Sequence, residues 1–157
     1  MSLGLTAAPS AAAQPLVPAY QSSTLADLTP GIGAHLGVPG YRHDVLGLPP
    51  SDRYVVLLVD GLGYHLVRGA ARHVPYLASL LGDAAVITSG VPSTTVTSLA
   101  SLGTGLPPGQ HGMVGFTSRV PKTGEILNAL AWDSDENARS YQPKPTFFER
   151  ARDGGWR

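Results

Sequence analysis

The segment that most constrains the fold is a run of five apolar residues, Val55 to Val59, followed directly by Asp60. The run is mostly β-branched and too short for a buried helix or a membrane span, so it predicts a buried strand. Asp60 then falls at the carboxyl end of that strand, which is the edge of an open α/β sheet where ligands and metal ions collect. Gly61 and Gly63 allow the backbone to turn tightly beside the carboxylate.

The rest of the sequence predicts helices and strands that alternate around this run. Thr24 is a candidate cap for a short helix that Pro30 and Gly31 should divide into two pieces. Helical patterns occupy residues 25–36, 64–72, 75–81, 96–102 and 145–154, and strand patterns occupy residues 84–88, 116–120 and 126–132. Because strand, helix and strand follow one another from residue 55 to 88, we predict an α/β fold with a parallel sheet. The last two strands, which flank the letters PKTGE, form a predicted hairpin that covers one side of the sheet or site.

Composition excludes several classes of protein. The 157 residues are enough for one ordinary domain. Eleven basic and eleven acidic residues give no net charge, and no basic run indicates a nucleic-acid surface. The absence of cysteine excludes disulfides and thiolate metal sites. No apolar run is long enough to cross a membrane, and the first basic residue is Arg42, so we predict a cytoplasmic protein without a secretory signal.

A second informative stretch places a cluster of hydroxyl groups at the start of a predicted helix. Ser93, Thr94 and Thr95 follow Pro92, and backbone N–H groups at a helix start attract anions such as phosphate. Taken alone, serine and threonine at this position are more often helix caps, and Asp60 is more often a turn residue than a metal ligand. The occurrence of both features favours a functional site over two separate structural roles, because in a parallel sheet both groups can face the same carboxyl edge.

Three motifs occur in order: VDGLG, PSTTVTSLASLGTG and PPGQHGMVG. Together they resemble the start of the catalytic domain of the alkaline phosphatase superfamily. Within that superfamily, they are most similar to the nucleotide pyrophosphatase and type I phosphodiesterase group. The resemblance covers residues 54 to about 156. It implies an alkaline-phosphatase-like, mainly parallel sheet with helices on both faces, and two divalent metal ions, with zinc as the expected metal. It also implies hydrolysis of a small-molecule phosphate ester or nucleotide through a phosphothreonine intermediate.

The resemblance also implies roles for individual residues. By position, Asp60 would ligate one metal, and Thr95 would be both the nucleophile and a metal-bound group, since a metal stabilises the alkoxide of a weak nucleophile. Spacing alone leaves Ser93 and Thr94 as rival nucleophiles. Thr94 and Thr117 are weaker candidates for binding the phosphate.

Two further positions in the matched motifs have expected roles. His111 lies in the loop rich in glycine and proline after the nucleophile helix, where we expect a structural role in holding that loop. Phe116 stands where the group has an asparagine that binds a phosphate oxygen, which makes the substrate harder to infer than the reaction.

The matched group takes its remaining metal ligands, aspartates and histidines, from segments beyond the region matched here. The sequence after Trp132 has no histidine, and its acidic residues are Asp133, Asp135, Glu136 and Asp153. We therefore expect residues 1–50 to be an N-terminal arm and connector with a short helix. Residues 51–157 would be the truncated N-terminal part of a catalytic domain, inactive in this form and with an unpaired apolar sheet edge. The alternative is a non-catalytic α/β module that binds an anion, or a phosphatase-like pseudoenzyme.

Overall fold

The computed structural model of the protein describes residues 16–132 and 137–156. A 3₁₀ helix spans Leu25–Asp27, and the α-helices are α1 (Leu28–Leu36), α2 (Tyr64–Gly69), α3 (Pro75–Leu80), α4 (Thr95–Thr104), α5 (Pro108–His111), α6 (Ala138–Tyr141) and α7 (Phe147–Asp153). The two strands are β1 (Thr117–Arg119) and β2 (Ile126–Asn128). The first part of the predicted arm, residues 1–15, and the acidic residues Asp133, Asp135 and Glu136 lie outside the described residues.

Side-chain caps begin the helices at both ends of the described chain. The carboxylate of Asp27 accepts hydrogen bonds from the backbone N–H and the hydroxyl of Thr24 (2.8 and 2.7 Å), immediately before α1. Thr146 and Glu149 form the same reciprocal arrangement at the start of α7. The expected division of the first helix at Pro30 is wrong, because Pro30 lies in the first turn of α1, where its missing N–H has no helical acceptor to lose.

The best-packed part of the protein joins α1 to α7. Ile32, Val38 and Phe147 are buried together, and the ring of Tyr41 lies 5.9 Å from that of Phe147. A hydrogen bond of 2.8 Å from the Thr29 hydroxyl to the carbonyl of Leu102 ties α1 to α4. The helix predicted in the N-terminal connector is therefore part of the main core.

The described residues combine helices with a small antiparallel sheet, which agrees with an α/β composition. Strands β1 and β2 form the predicted hairpin, with Ser118 opposite Leu127. The predicted parallel sheet is not shown. Residues 84–88 contribute only one isolated parallel bridge, between Thr24 and Thr88. None of the helices in the described ranges combines the length and apolar character needed to cross a membrane.

The run from Val55 to Val59 is unpaired in the described residues. In the part of the chain that the structure describes, its one backbone hydrogen bond is to the following turn, where the Val59 carbonyl accepts from the N–H of Leu62. Val55 and Leu57 are 97% and 84% exposed, whereas Val56 and Leu58 between them are each 46% exposed and line a cavity bordered by α1, α4 and α7. This alternation is the side-chain pattern of an extended strand. Both faces are apolar, as in a strand buried between two layers of helices.

We expect this unpaired run to make the chain self-associate, because an exposed apolar strand edge is a template for pairing with other chains. Replacing Val55 and Leu57 together by lysine should lower the association measured by sedimentation velocity over a range of concentrations. The matched control is Tyr76→Lys, which changes another exposed apolar side chain, on α3. A wild-type chain that stays monomeric, or a control that lowers association as much, would contradict this expectation.

Candidate active site

Asp60 sits at the second position of a tight turn that follows the apolar run. The turn is closed by a 3.3 Å hydrogen bond from the N–H of Leu62 to the carbonyl of Val59. Gly61 occupies the third position with φ of 71°, a conformation that residues with a side chain rarely adopt. The turn leaves the Asp60 carboxylate exposed at the end of the run.

The hydroxyl cluster lies at the start of α4, as the sequence predicts. The first hydrogen bond within the helix runs from the N–H of Ser98 to the carbonyl of Thr94 (2.9 Å), so the N–H groups of the first turn have no acceptor in the helix. The Thr94 hydroxyl donates to the hydroxyl of Thr97 (3.0 Å) and does not cap a backbone N–H. Capping by Thr94 therefore does not explain the cluster.

The structure brings Thr95 and Asp60 together. The hydroxyl of Thr95 donates to the two carboxylate oxygens of Asp60 at 3.2 and 3.4 Å. No such contact to Asp60 is formed by Ser93 or Thr94 within the described part of the chain. The pairing inferred from two separate motifs is thus present in space, and it distinguishes Thr95 from its two rivals.

Thr95 and Asp60 line a cavity of about 640 Å³. Its remaining lining residues are Leu25, Leu58, Val59, Gly61, Leu62, Gly63, Ser89, Ser93, Thr94, Ser98, Leu99, Phe116 and Leu130. Asp60 is the single charged side chain among these described lining residues. Thr117, the weaker phosphate-binding candidate, points from β1 and is not among them. Thr94 and Phe116 do line the cavity.

The residues around this cavity do not complete a zinc site. Asp60 and Thr95 offer oxygen donors at one point, but the described residues contain no group of three or more histidine, aspartate or glutamate side chains that could hold a metal ion. Catalytic zinc is bound by three protein ligands, among which nitrogen donors are common. The expected remaining ligands are therefore not supplied by residues 16–132 and 137–156.

His111 lies in the interior, outside the cavity. It is 3% exposed, and its Nδ1 accepts a hydrogen bond from the N–H of Met113 (3.0 Å). Since Nδ1 carries no proton, Nε2 must be protonated, and it donates to the hydroxyl of Ser101 at 3.0 Å. Burial lowers the pKa of His111 below its usual value. The imidazole is thus a neutral brace between α4 and the loop that follows α5.

Two cavity residues were not singled out from the sequence. Leu130 follows β2, and its backbone N–H donates a hydrogen bond to the side-chain oxygen of Asn128 (3.0 Å), which fixes the turn after the strand. Leu25 comes from the segment before α1 and is placed by a hydrogen bond from its N–H to the carbonyl of Thr88 (2.8 Å). The hairpin prediction could have indicated Leu130, but no local pattern indicates that Leu25 lies near Thr95.

The geometry thus joins a turn that displays a carboxylate to a helix that begins with a hydroxyl group. A profile of the family described as type I phosphodiesterase / nucleotide pyrophosphatase matches residues 54–157. The chain belongs to this family, whose members are hydrolases of phosphodiester and pyrophosphate bonds and are generally metal-dependent. Neither the curated proteins nor the solved structures gave a significant match to the chain. The family resemblance inferred from the three motifs is confirmed.

We expect the stability of the chain to fall as the pH is lowered below neutral, because His111 is buried in its neutral form. Its folded-state pKa is depressed, so its contribution is fully present above the unfolded value of about 6.5 and is lost as pH falls through the folded pKa. His111→Gln should weaken this dependence, measured as the free energy of unfolding in urea at several pH values.

The control is His73→Gln, because His73 is exposed on the surface. This variant should keep the dependence attributed to His111. A His111→Gln variant that keeps the wild-type dependence would contradict the expectation.

Ser101→Ala should lower the free energy of unfolding by about 1–3 kcal/mol, since it leaves the buried N–H of His111 without its acceptor.

Proposed function

We propose that this sequence carries the nucleophile half of a hydrolase that cleaves phosphate esters or diesters, including nucleotides, through a phosphothreonine intermediate. The observation that carries the proposal is the 3.2 Å hydrogen bond from the Thr95 hydroxyl to Asp60 at the start of α4. The family match to residues 54–157 supports the reaction class.

In the proposed reaction the oxygen of Thr95 attacks phosphorus, and the bond from phosphorus to the ester oxygen breaks. The departing oxygen takes up the proton that the Thr95 hydroxyl releases, so the ester group leaves as an alcohol. Water later breaks the bond between phosphorus and the Thr95 oxygen, which releases the phosphate product and regenerates the hydroxyl. Asp60 accepts the hydrogen bond of that hydroxyl and so orients its oxygen. The N–H groups of the first turn of α4, which lack acceptors in the helix, are the proposed donors to phosphoryl oxygens.

Charge in the cavity supports a requirement for a cation. Asp60 is the charged residue of the described lining, and a carboxylate beside Thr95 repels a phosphate anion. We propose two divalent ions, with zinc as the expected metal and Asp60 and Thr95 as two of the ligands. When bound, such ions would supply positive charge and stabilise the alkoxide.

The described residues leave both the metal site and the sheet incomplete, which supports the proposal that residues 51–157 are part of a larger catalytic domain. In that domain the run from Val55 to Val59 would be a strand of a mainly parallel sheet. We accordingly propose that the chain alone does not turn over substrate. The alternative of a simple anion-binding module is less favoured, because Asp60 opposes anion binding when no cation is present.

In a longer protein that contains this sequence and supplies the remaining ligands, we expect Thr95→Ala to lower kcat/KM on bis(p-nitrophenyl) phosphate by about a thousandfold or more, because it removes the attacking oxygen. Ser93→Ala and Thr94→Ala are matched controls from the same cluster, and each should retain most of the activity. Full turnover by the Thr95→Ala variant, measured with zinc present, would rule out the proposed nucleophile.

In the same longer protein, we expect inorganic phosphate to shift the NMR signals of the Thr95, Val96 and Thr97 amides only when zinc is present. Asp60→Asn should abolish the zinc-dependent shift, because it removes the charged oxygen donor. Asp83→Asn, which changes an exposed aspartate outside the cavity lining, is the control. Equal shifts without zinc would instead favour the anion-binding alternative.

A further inference from the structure

Four apolar side chains from separate parts of the chain meet in the cavity that contains Thr95 and Asp60. We call this set, Leu25, Leu99, Phe116 and Leu130, the apolar wall. Leu99, Phe116 and Leu130 are each about half exposed, so the apolar wall faces open space and is not part of the packed core. The wall therefore offers apolar surface to a group that enters the cavity.

The backbone places the apolar wall beside the candidate nucleophile. Leu99 follows Thr95 by one helical turn on the same face of α4, which corresponds to a rise of about 6 Å along the helix. Phe116 and Leu130 lie at the open end of the hairpin, where the N–H of Ala129 donates to the Phe116 carbonyl at 2.7 Å. Two of these three side chains thus come from a fixed antiparallel pairing.

Leu25 completes the apolar wall from outside the family match, which begins at residue 54. Its N–H is bound to the carbonyl of Thr88, and the N–H of Thr88 donates to the carbonyl of Ser23 at 3.0 Å. These paired bonds fix Leu25 against the segment that leads into the hydroxyl cluster. The wall is therefore a combined feature of the N-terminal segment and the matched region.

We propose that the apolar wall binds an uncharged apolar ester group, aryl or branched alkyl, of the phosphate ester whose phosphorus faces Thr95. This inference rests on the proposed function and names its substrate class. A negatively charged organic group would lose water against these side chains without gaining a partner, since the described lining contains no lysine, arginine or histidine. An apolar group is stabilised there by the removal of its surface from water.

Phe116 is the side chain that most directly decides this preference. It presents a phenyl ring to the cavity that Thr95 and Asp60 line. The ring cannot accept or donate a conventional hydrogen bond, but it can pack against an aryl group with offset or edge-to-face geometry. It therefore favours the apolar substituent of a phosphate ester over the phosphate itself.

The test compares two phosphonates that have no ester bond to hydrolyse, benzylphosphonate and methylphosphonate, on a longer protein that contains this sequence and supplies the remaining metal ligands, with zinc. We expect benzylphosphonate to bind about tenfold more tightly, with NMR shifts at the amides of Thr95, Phe116 and Leu130. Phe116→Ala and Leu25→Ala should each reduce that ratio to about twofold. The matched control, Phe148→Ala, changes an exposed phenylalanine on α7 outside this cavity and should keep the ratio.

A neutral probe separates this inference from the proposed function. Phenol alone should shift the Phe116 and Leu130 amides in the wild-type chain and not in Phe116→Ala. Absence of these shifts, or equal affinity for the two phosphonates, overturns the apolar wall as a binding site even if the Thr95 amide responds to phosphonate. Phosphonates that leave the Thr95 amide unshifted while phenol binds would overturn the proposed function instead, and with it the assignment of the wall to an ester group.

Discussion

Helix α4 is held in place by buried hydroxyl groups, and the position of the candidate nucleophile depends on them. Thr97, Ser101 and Thr104 are almost completely buried on the inner face of this helix. Thr97 accepts from Thr94, Ser101 from His111, and Thr104 donates to the carbonyl of Ala100. Two of these bonds lie within α4 and its cap, whereas the bond between Ser101 and His111, like that from Thr29 to the carbonyl of Leu102, joins the helix to another segment. Hydrogen bonds are directional, so the latter two fix the rotation of the helix more strictly than hydrocarbon contacts would. That rotation directs the first residue of α4 toward Asp60.

The inner face of α4 is lined by polar hydroxyl groups, whereas the cavity at the start of this helix has both polar and apolar lining residues. The lining combines a carboxylate, hydroxyl groups and free backbone N–H groups with hydrocarbon side chains. Such a combination is suited to a ligand with a phosphate head and an apolar substituent. The negative charge of Asp60 would oppose the head of such a ligand, and a cation can reverse this effect because it changes the sign of the local field.

The sequence was sufficient for the parts of the fold that local chemistry determines. The apolar run and the glycine-containing turn after it predicted the position of Asp60, and the hydroxyl cluster predicted the start of α4. The segment PKTGE between Val120 and Ile126 predicted the hairpin. The approach of Thr95 to Asp60 was also expected, because the apolar run and the hydroxyl cluster were both predicted to reach the same edge of a sheet.

Other features depend on contacts between distant segments and could not be predicted from local patterns. Pro30 has the usual signature of a helix break, but its place in the first turn removes the cost. The parallel sheet needs neighbours for Val55 to Val59, and a single strand pattern does not say which segments provide them. The bridge between Thr24 and Thr88 has no periodic signal at either end.

That bridge bears on which part of the chain is needed for folding. The region recognised by the family profile begins at residue 54, yet the segment leading to the hydroxyl cluster is held by residues 23 to 25. A shortened protein begun at the profile boundary would lose this anchor and the Leu25 side chain at once. The boundary drawn by family similarity is therefore not a boundary of the architecture, and the preceding helix belongs to the same folding unit.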